Sequence, residues 1–305
     1  MGELEKTGMI RAFLLLVGLG ALIAGGFVLW RTGNSLPAGK AGLSTSSSIS
    51  QATPGPSPLP PTPTPTPSPS PSPSPTPSPD PKVYGPCKIV PVLLYHHIEP
   101  KEEALAAGQK NIFVDNTTFA GQLEYLVKRG YKTITPDELV AGLASGSVGA
   151  KNVLLTFDDG YEDFYTYAYP TLVKNGMKAT SFVPTGLVGN PGYLNWGQIA
   201  EMKGSGLITF ANHTWSHKNV GGGSEETIRR EITTAQTQLV EHGLGPITAF
   251  AYPYGPAGGV AKKVLQELSI KSAFTTNPSW YQCAKLPYDF GRTRVGDTSM
   301  SFYGL

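Results

Sequence analysis

The chain has 305 residues, a formal net charge of +2 and a charged fraction of 15%. That length holds one large domain with accessories, and the near balance of charge excludes a broad basic face for nucleic acid. Its 36 glycines and 28 prolines are unevenly spread and divide the chain into three zones, 1–32, 33–82 and 83–305.

The first zone contains residues 12–30, a stretch without a charge between Arg11 and Arg31. A helix that crosses a bilayer needs roughly 20 apolar residues, and no small-x-small cleavage site follows Trp30, so an uncleaved transmembrane anchor is expected in preference to a signal peptide. Lys6 and Arg11 on one side nearly balance Arg31 and Lys40 on the other. The short N-terminal tail therefore decides the orientation: a single-pass protein of the cell membrane, with its bulk outside the cytoplasm. The second zone begins rich in Gly and Ser and becomes a Pro-Thr/Pro-Ser alternation over 54–81. Proline at every other position blocks helix and sheet and favours polyproline II. At about 3.1 Å per residue such a stretch reaches on the order of 90 Å, a disordered or stiff spacer without a core.

The third zone reads as a globular domain. Strands are expected at 89–95, 131–135, 153–157, 179–183, 207–211, 247–252 and 271–276, each a short apolar run rich in β-branched or aromatic residues. Helical patterns fall between them. Phe119, Leu123 and Leu126 mark one helix face, with Thr117 or Thr118 as its cap and Gly130 as its stop. Ile228, Ile232, Ala235 and Leu239 mark another over 224–242, which His242 closes where a partly positive side chain suits the helix dipole. Strands alternating with helices imply a parallel sheet, and seven to eight such units imply an α/β fold of the (β/α)-barrel kind. Chemistry in such barrels lies at the C-terminal ends of the strands. Cys87 and Cys283 lie near the two ends of the domain. An exported domain can hold a disulfide, so they are expected to pair, with two buried free thiols as the alternative.

The strand ends carry the unusual residues. LTFDDGYED at 155–163 ends an apolar run on two adjacent carboxylates, Asp158 and Asp159. Asp-Gly is also a common turn signal, but two like charges side by side repel unless a cation lies near. His213 and His217 follow strand 207–211, and their spacing lets both face one metal if the segment is helical or tightly turned. Two imidazoles and a carboxylate form a common zinc site with open positions; cobalt, nickel or iron fit the same donors. One Asp then binds the divalent ion and the other is free to take a proton from water. His96 or His97, after Tyr95, can give a proton to a leaving group. The set suits metal-assisted hydrolysis of an amide.

TFDDG at 156–160, HTWSH at 213–217 and FAYPYG at 250–255 resemble the first three motifs of the polysaccharide deacetylases, carbohydrate esterase family 4, also called the NodB-homology family. The resemblance covers about 89–295. It implies a distorted (β/α) barrel and metal-dependent removal of acetyl groups from N-acetylated sugars, with Asp158 as general base and Asp159, His213 and His217 as metal ligands. It also implies that the Tyr254 N–H, after Pro253, helps hold the oxyanion. Two departures stand out. Ala251 and Tyr252 occupy places where the family has an arginine, and no histidine follows His242 to supply the family's late acid. VPVLLYHHI at 90–98 resembles the opening motif of the circularly permuted branch that includes poly-N-acetylglucosamine deacetylases; there the histidine after the tyrosine is the acid, which places the role on His96, with His97 second. Arg292 or Arg294 is the available substitute for the lost arginine. Among Tyr161, Trp196, Trp215, Tyr254 and Trp280, one or two are expected to stack on sugar, Trp215 and Trp196 being the named candidates. The expected activity is a bacterial N-deacetylase acting at the cell surface on polymers that contain N-acetylglucosamine. A small-molecule amide hydrolase of the same fold and an inactive glycan-binding surface protein are the alternatives.

Overall fold

A computed structural model describes residues 79–109 and 111–305. The expected anchor and most of the expected spacer lie outside the described residues. Among the described residues no helix is long and apolar enough to cross a membrane.

The centre is an eight-stranded parallel sheet that curls as a half-barrel. In spatial order its strands are Ser272–Phe274, Ala249–Ala251, Ile208–Asn212, Ala179–Val183, Asn152–Phe157, Val92–Tyr95 and Thr293–Arg294, with Lys132–Thr133 also beside Asn152–Phe157. The tail of the domain touches both edges of this sheet. Phe290 forms a parallel bridge with Phe274, and Thr293 and Arg294 pair with Leu93 and Leu94. The α/β class and the expected count of parallel strands therefore agree with the structure.

The strands read as continuous apolar runs because both faces are buried. Val92, Leu154, Phe182 and Ala249 pack to one side with Leu139 and Leu143 of helix Pro136–Ser145. Their neighbours Leu93, Leu155 and Ala179 pack to the other side with Phe119 and Leu123 of helix Asn116–Lys128. Successive side chains of a strand point to opposite faces, and this alternation governs the site.

Several boundaries differ from expectation. The run 89–95 is two strands: Cys87–Ile89 pairs antiparallel with Tyr281–Cys283, and Val92–Tyr95 enters the main sheet. Pro91 lies at the break, and a proline has no N–H to give a ladder. Strand Lys132–Thr133 is cut short by the capping box of Thr135 and Glu138 that opens the next helix. The cap of helix Asn116–Lys128 is Asp115, not Thr117 or Thr118; its carboxylate accepts the N–H groups of both threonines. A two-stranded parallel pair, His97–Glu99 with Phe113–Asp115, was not anticipated. Cys87 and Cys283 are opposite one another in their antiparallel pair and form a disulfide.

Candidate functional site

At the end of strand Asn152–Phe157 the chain turns through Asp159 at φ 74° and Gly160 at φ 66°. Aspartate tolerates this left-handed conformation better than most residues. The turn gives the two carboxylates different partners. Asp158 is gripped by Arg292, Nη1 to Oδ1 and Nη2 to Oδ2 at 2.7 Å each. Arg292 is itself fully buried, and it also donates from Nε to the carbonyl of Thr275. Burial alone raises the Asp158 carboxyl, but Arg292 and His213 outweigh it and hold the group below the usual carboxylate range.

Asp159 faces the histidines. Its Oδ1 lies 3.2 Å from His213 Nε2 and 3.0 Å from His217 Nε2. That oxygen is buried and has no hydrogen-bond partner, and the three donor atoms lie within 4.8 Å of one another. Burial opposes its charge, and the two imidazoles nonetheless hold its carboxyl well below the ordinary value. His213 Nδ1 lies 2.8 Å from the carbonyl of Ala251. A carbonyl only accepts, so Nδ1 carries a proton, and in the neutral ring Nε2 then has its lone pair free on the side of Asp159, the arrangement typical of a metal-bound histidine. Burial works against a charged His213, but Asp158 and Asp159 raise it; the pocket attracts positive charge. Asp159, His213 and His217 thus fit a divalent ion in donor type and mutual approach, and the Nδ1 contact of His213 leaves its Nε2 as the ligand atom.

The HTWSH segment is a tight turn and not a helix, with Thr214 at φ 67° and His217 at φ 58°. Buried Glu231, on helix Glu225–Glu241, holds it by accepting from both the N–H and the hydroxyl of Ser216 at 2.9 Å. Asn212 accepts the Thr214 N–H and donates to the carbonyl of Ile232. Sequence reasoning named neither residue; a buried glutamate on the apolar face of an amphipathic helix was the available signal.

His96 is half-buried and near both carboxylates. Burial lowers its pKa, while Asp158 and Asp159 push the other way. His97 lies elsewhere: its Nδ1 is 2.5 Å from Asp163 and its ring stacks on Tyr161 at 3.6 Å. The alternation of extended backbone accounts for the divergence of two adjacent histidines. Pro253 is buried, and Tyr254, at φ 65°, stands 66% exposed with its ring 4.8 Å from that of His217. The tight turn after it needs Gly255, where a Cβ would fall 2.0 Å from Thr276 Oγ1.

Trp215 is exposed beside the cluster, and its carbonyl accepts the Gly186 N–H at 2.7 Å. Trp196 is a correction. It opens helix Trp196–Gly204 and its ring stacks on His242 at 3.7 Å, so it packs helix against helix instead of facing the cluster. Trp280 is also engaged elsewhere, donating to Thr293 beside the closing strand. Arg292, one of two candidates for the missing arginine, takes the Asp158 carboxylate; Arg294 does not bond it.

Comparison with known proteins identifies the family. A family model for polysaccharide deacetylase matches residues 145–273. The Bacillus subtilis polysaccharide deacetylase homologue YxkH is 30% identical over 215 residues, which is 70% of this chain and 74% of that protein. The poly-beta-1,6-N-acetyl-D-glucosamine N-deacetylase of Staphylococcus aureus is 28% identical over 179 residues, 54% of this chain and 62% of that enzyme, so the match spans less than two thirds of its length. The solved structure of the Streptococcus pyogenes deacetylase PplD in complex with acetate aligns with a TM-score of 0.62 at 31% identity, covering 68% of this chain and 92% of that one. The chain belongs to the polysaccharide deacetylase family, whose members hydrolyse acetamido C–N bonds.

Proposed function

We propose that this protein is a metal-dependent N-deacetylase of polysaccharide containing N-acetylglucosamine. The observation that carries the reading is the division of labour between neighbours, with Asp158 locked on Arg292 and Asp159 left to His213 and His217. A divalent ion held by Asp159, His213 and His217 supplies Lewis acidity toward the acetamide carbonyl and toward water. Zinc suits the donor set best, with cobalt, nickel or iron as alternatives.

The protein's own residues do the rest. Asp158 takes a proton from the attacking water, and Arg292 keeps that carboxylate charged and aimed in a buried site. Tyr254 offers a backbone N–H that has no hydrogen-bond partner among the described residues, suited to the oxyanion. His96 returns a proton to the departing amine, so that glucosamine and acetate leave. Its sole rival, His97, is tied to Asp163. Trp215 and Tyr254 present exposed aromatic faces for sugar. The acetate in the PplD structure and the substrate named for the staphylococcal relative support an acetyl-releasing reaction on such a polymer. Residues 12–30 serve as the membrane anchor and 33–82 as the spacer, with the enzyme outside the cytoplasm; the uncharged stretch, the Pro-rich composition and the Cys87–Cys283 disulfide support that placement.

The test is acetate release by the full chain, stripped of metal and reloaded with zinc. The substrates are β-1,4 and β-1,6 N-acetylglucosamine oligomers and peptidoglycan. Zinc-dependent release is expected from at least one of them, and the preferred substrate identifies the polymer. No release from any, with zinc still bound, contradicts the reading.

A further inference from the structure

His97 of VPVLLYHHI, Glu99 just past it and Asp163 of LTFDDGYED have no part in this chemistry, yet they meet. His97 and Glu99 are two apart in strand His97–Glu99 and so share a face. Asp163, the last residue of LTFDDGYED, comes up against them. Its Oδ2 is 2.5 Å from His97 Nδ1, and Glu99 Oε1 is 3.9 Å from the same nitrogen. One nitrogen and two carboxylate oxygens lie within 4.8 Å of one another.

Two features separate this group from an ordinary ion pair. Glu99 is only 9% exposed, and its Oε1 is sealed from solvent with no hydrogen-bond partner. A buried carboxylate oxygen left bare is costly. Asp163 is fixed from behind, because its Oδ1 accepts the Ile98 N–H at 3.0 Å. The single imidazole can offer at most one positive charge against two carboxylates, so the cluster has a deficit that a dication removes.

We propose that His97, Glu99 and Asp163 form a second divalent-cation site, separate from the Asp159–His213–His217 cluster. One imidazole and two carboxylates suit Mn²⁺ or Zn²⁺. Tyr161 connects the two places: its ring stacks on His97 at 3.6 Å, and its hydroxyl sits in the field of Asp159. An ion held by His97, Glu99 and Asp163 therefore steadies the turn that follows Asp158 and Asp159, without touching the reacting atoms.

The test uses Mn²⁺ as the probe on the full chain after chelation, counting bound ions by electron paramagnetic resonance and elemental analysis. Two ions per chain are expected for the wild type. One is expected for Glu99→Gln, one for Asp159→Asn and none for the double variant. Glu99 makes no side-chain hydrogen bond here, so Glu99→Gln is expected to match the wild-type melting temperature in chelator. It is also expected to lose the part of the Mn²⁺-induced rise that Asp159→Asn retains. Saturation of the wild type at one ion or fewer overturns the proposal. So does an unchanged count, or an unchanged Mn²⁺ response, in Glu99→Gln.

Discussion

Arg292 and Asp158 are 134 positions apart and meet as a buried two-pronged pair, both bonds at 2.7 Å. The arginine stands just before the strand Thr293–Arg294, whose pairing with Val92–Tyr95 brings it over the end of the neighbouring strand Asn152–Phe157. Removing one partner of a buried pair leaves an uncompensated charge, which costs about 3–5 kcal/mol. Arg292→Ala is expected to lower stability on that scale and to abolish acetate release. Arg292→Lys keeps the charge but loses the fork, so it is expected to fold better than the alanine variant while remaining impaired in kcat. Denaturant melts and initial rates check both.

Removal of the metal gives a second expectation. A group that binds only the folded protein stabilises it by mass action. Chelation is therefore expected to lower the melting temperature and stop turnover together, and added zinc to restore both. His217→Ala is expected to lose turnover and the part of the zinc-dependent shift that the Asp159–His213–His217 cluster supplies.

Glu231 predicts an effect at a distance from the ions. It fixes Ser216, the neighbour of His217, through two bonds of 2.9 Å. Outer partners of this kind typically change metal affinity by about 10–100-fold. Glu231→Ala is expected to weaken zinc binding on that scale, as read by competition with a chelating dye, with kcat largely recovered at saturating zinc.

How much of this was legible in the sequence depends on the distance over which each residue acts. Asp159, His213 and His217 were readable because their chemistry is local: two carboxylates at a strand end, two histidines four apart. The strands were readable because burial on both faces leaves uninterrupted apolar runs. Arg292 was only one of two candidates, since choosing it over Arg294 needs the register of the last strand. Trp196 was misassigned because nothing local says which way a helix-opening tryptophan faces, and it faces His242. The Asp163 end of LTFDDGYED was passed over because its partners come from a strand that composition does not reveal.

Asp115 shows the same limit at a helix cap and carries a pH dependence. Burial opposes its charge, but the Thr117 hydroxyl and the N–H groups of Lys101, Thr117 and Thr118 lower its pKa below 3.8. A depressed carboxyl contributes stability that is fully present above its unfolded value and is lost as pH falls through its folded one. Asp115→Ala is expected to cost about 1 kcal/mol near neutrality, the usual scale for a lost cap. Its difference from the wild type should shrink as the pH is taken below 3.8, as urea melts at a series of pH values would show.

The central claim is that two adjacent carboxylates have separate duties. The most direct measurement pairs zinc binding with acetate release in Asp158→Asn and Asp159→Asn. The account predicts that Asp158→Asn keeps the ion shared by His213 and His217 while turnover falls by about 10²–10⁴-fold or more. It predicts that Asp159→Asn loses that ion and turnover together. Loss of the ion in Asp158→Asn, or near-normal acetate release by either variant, would contradict it.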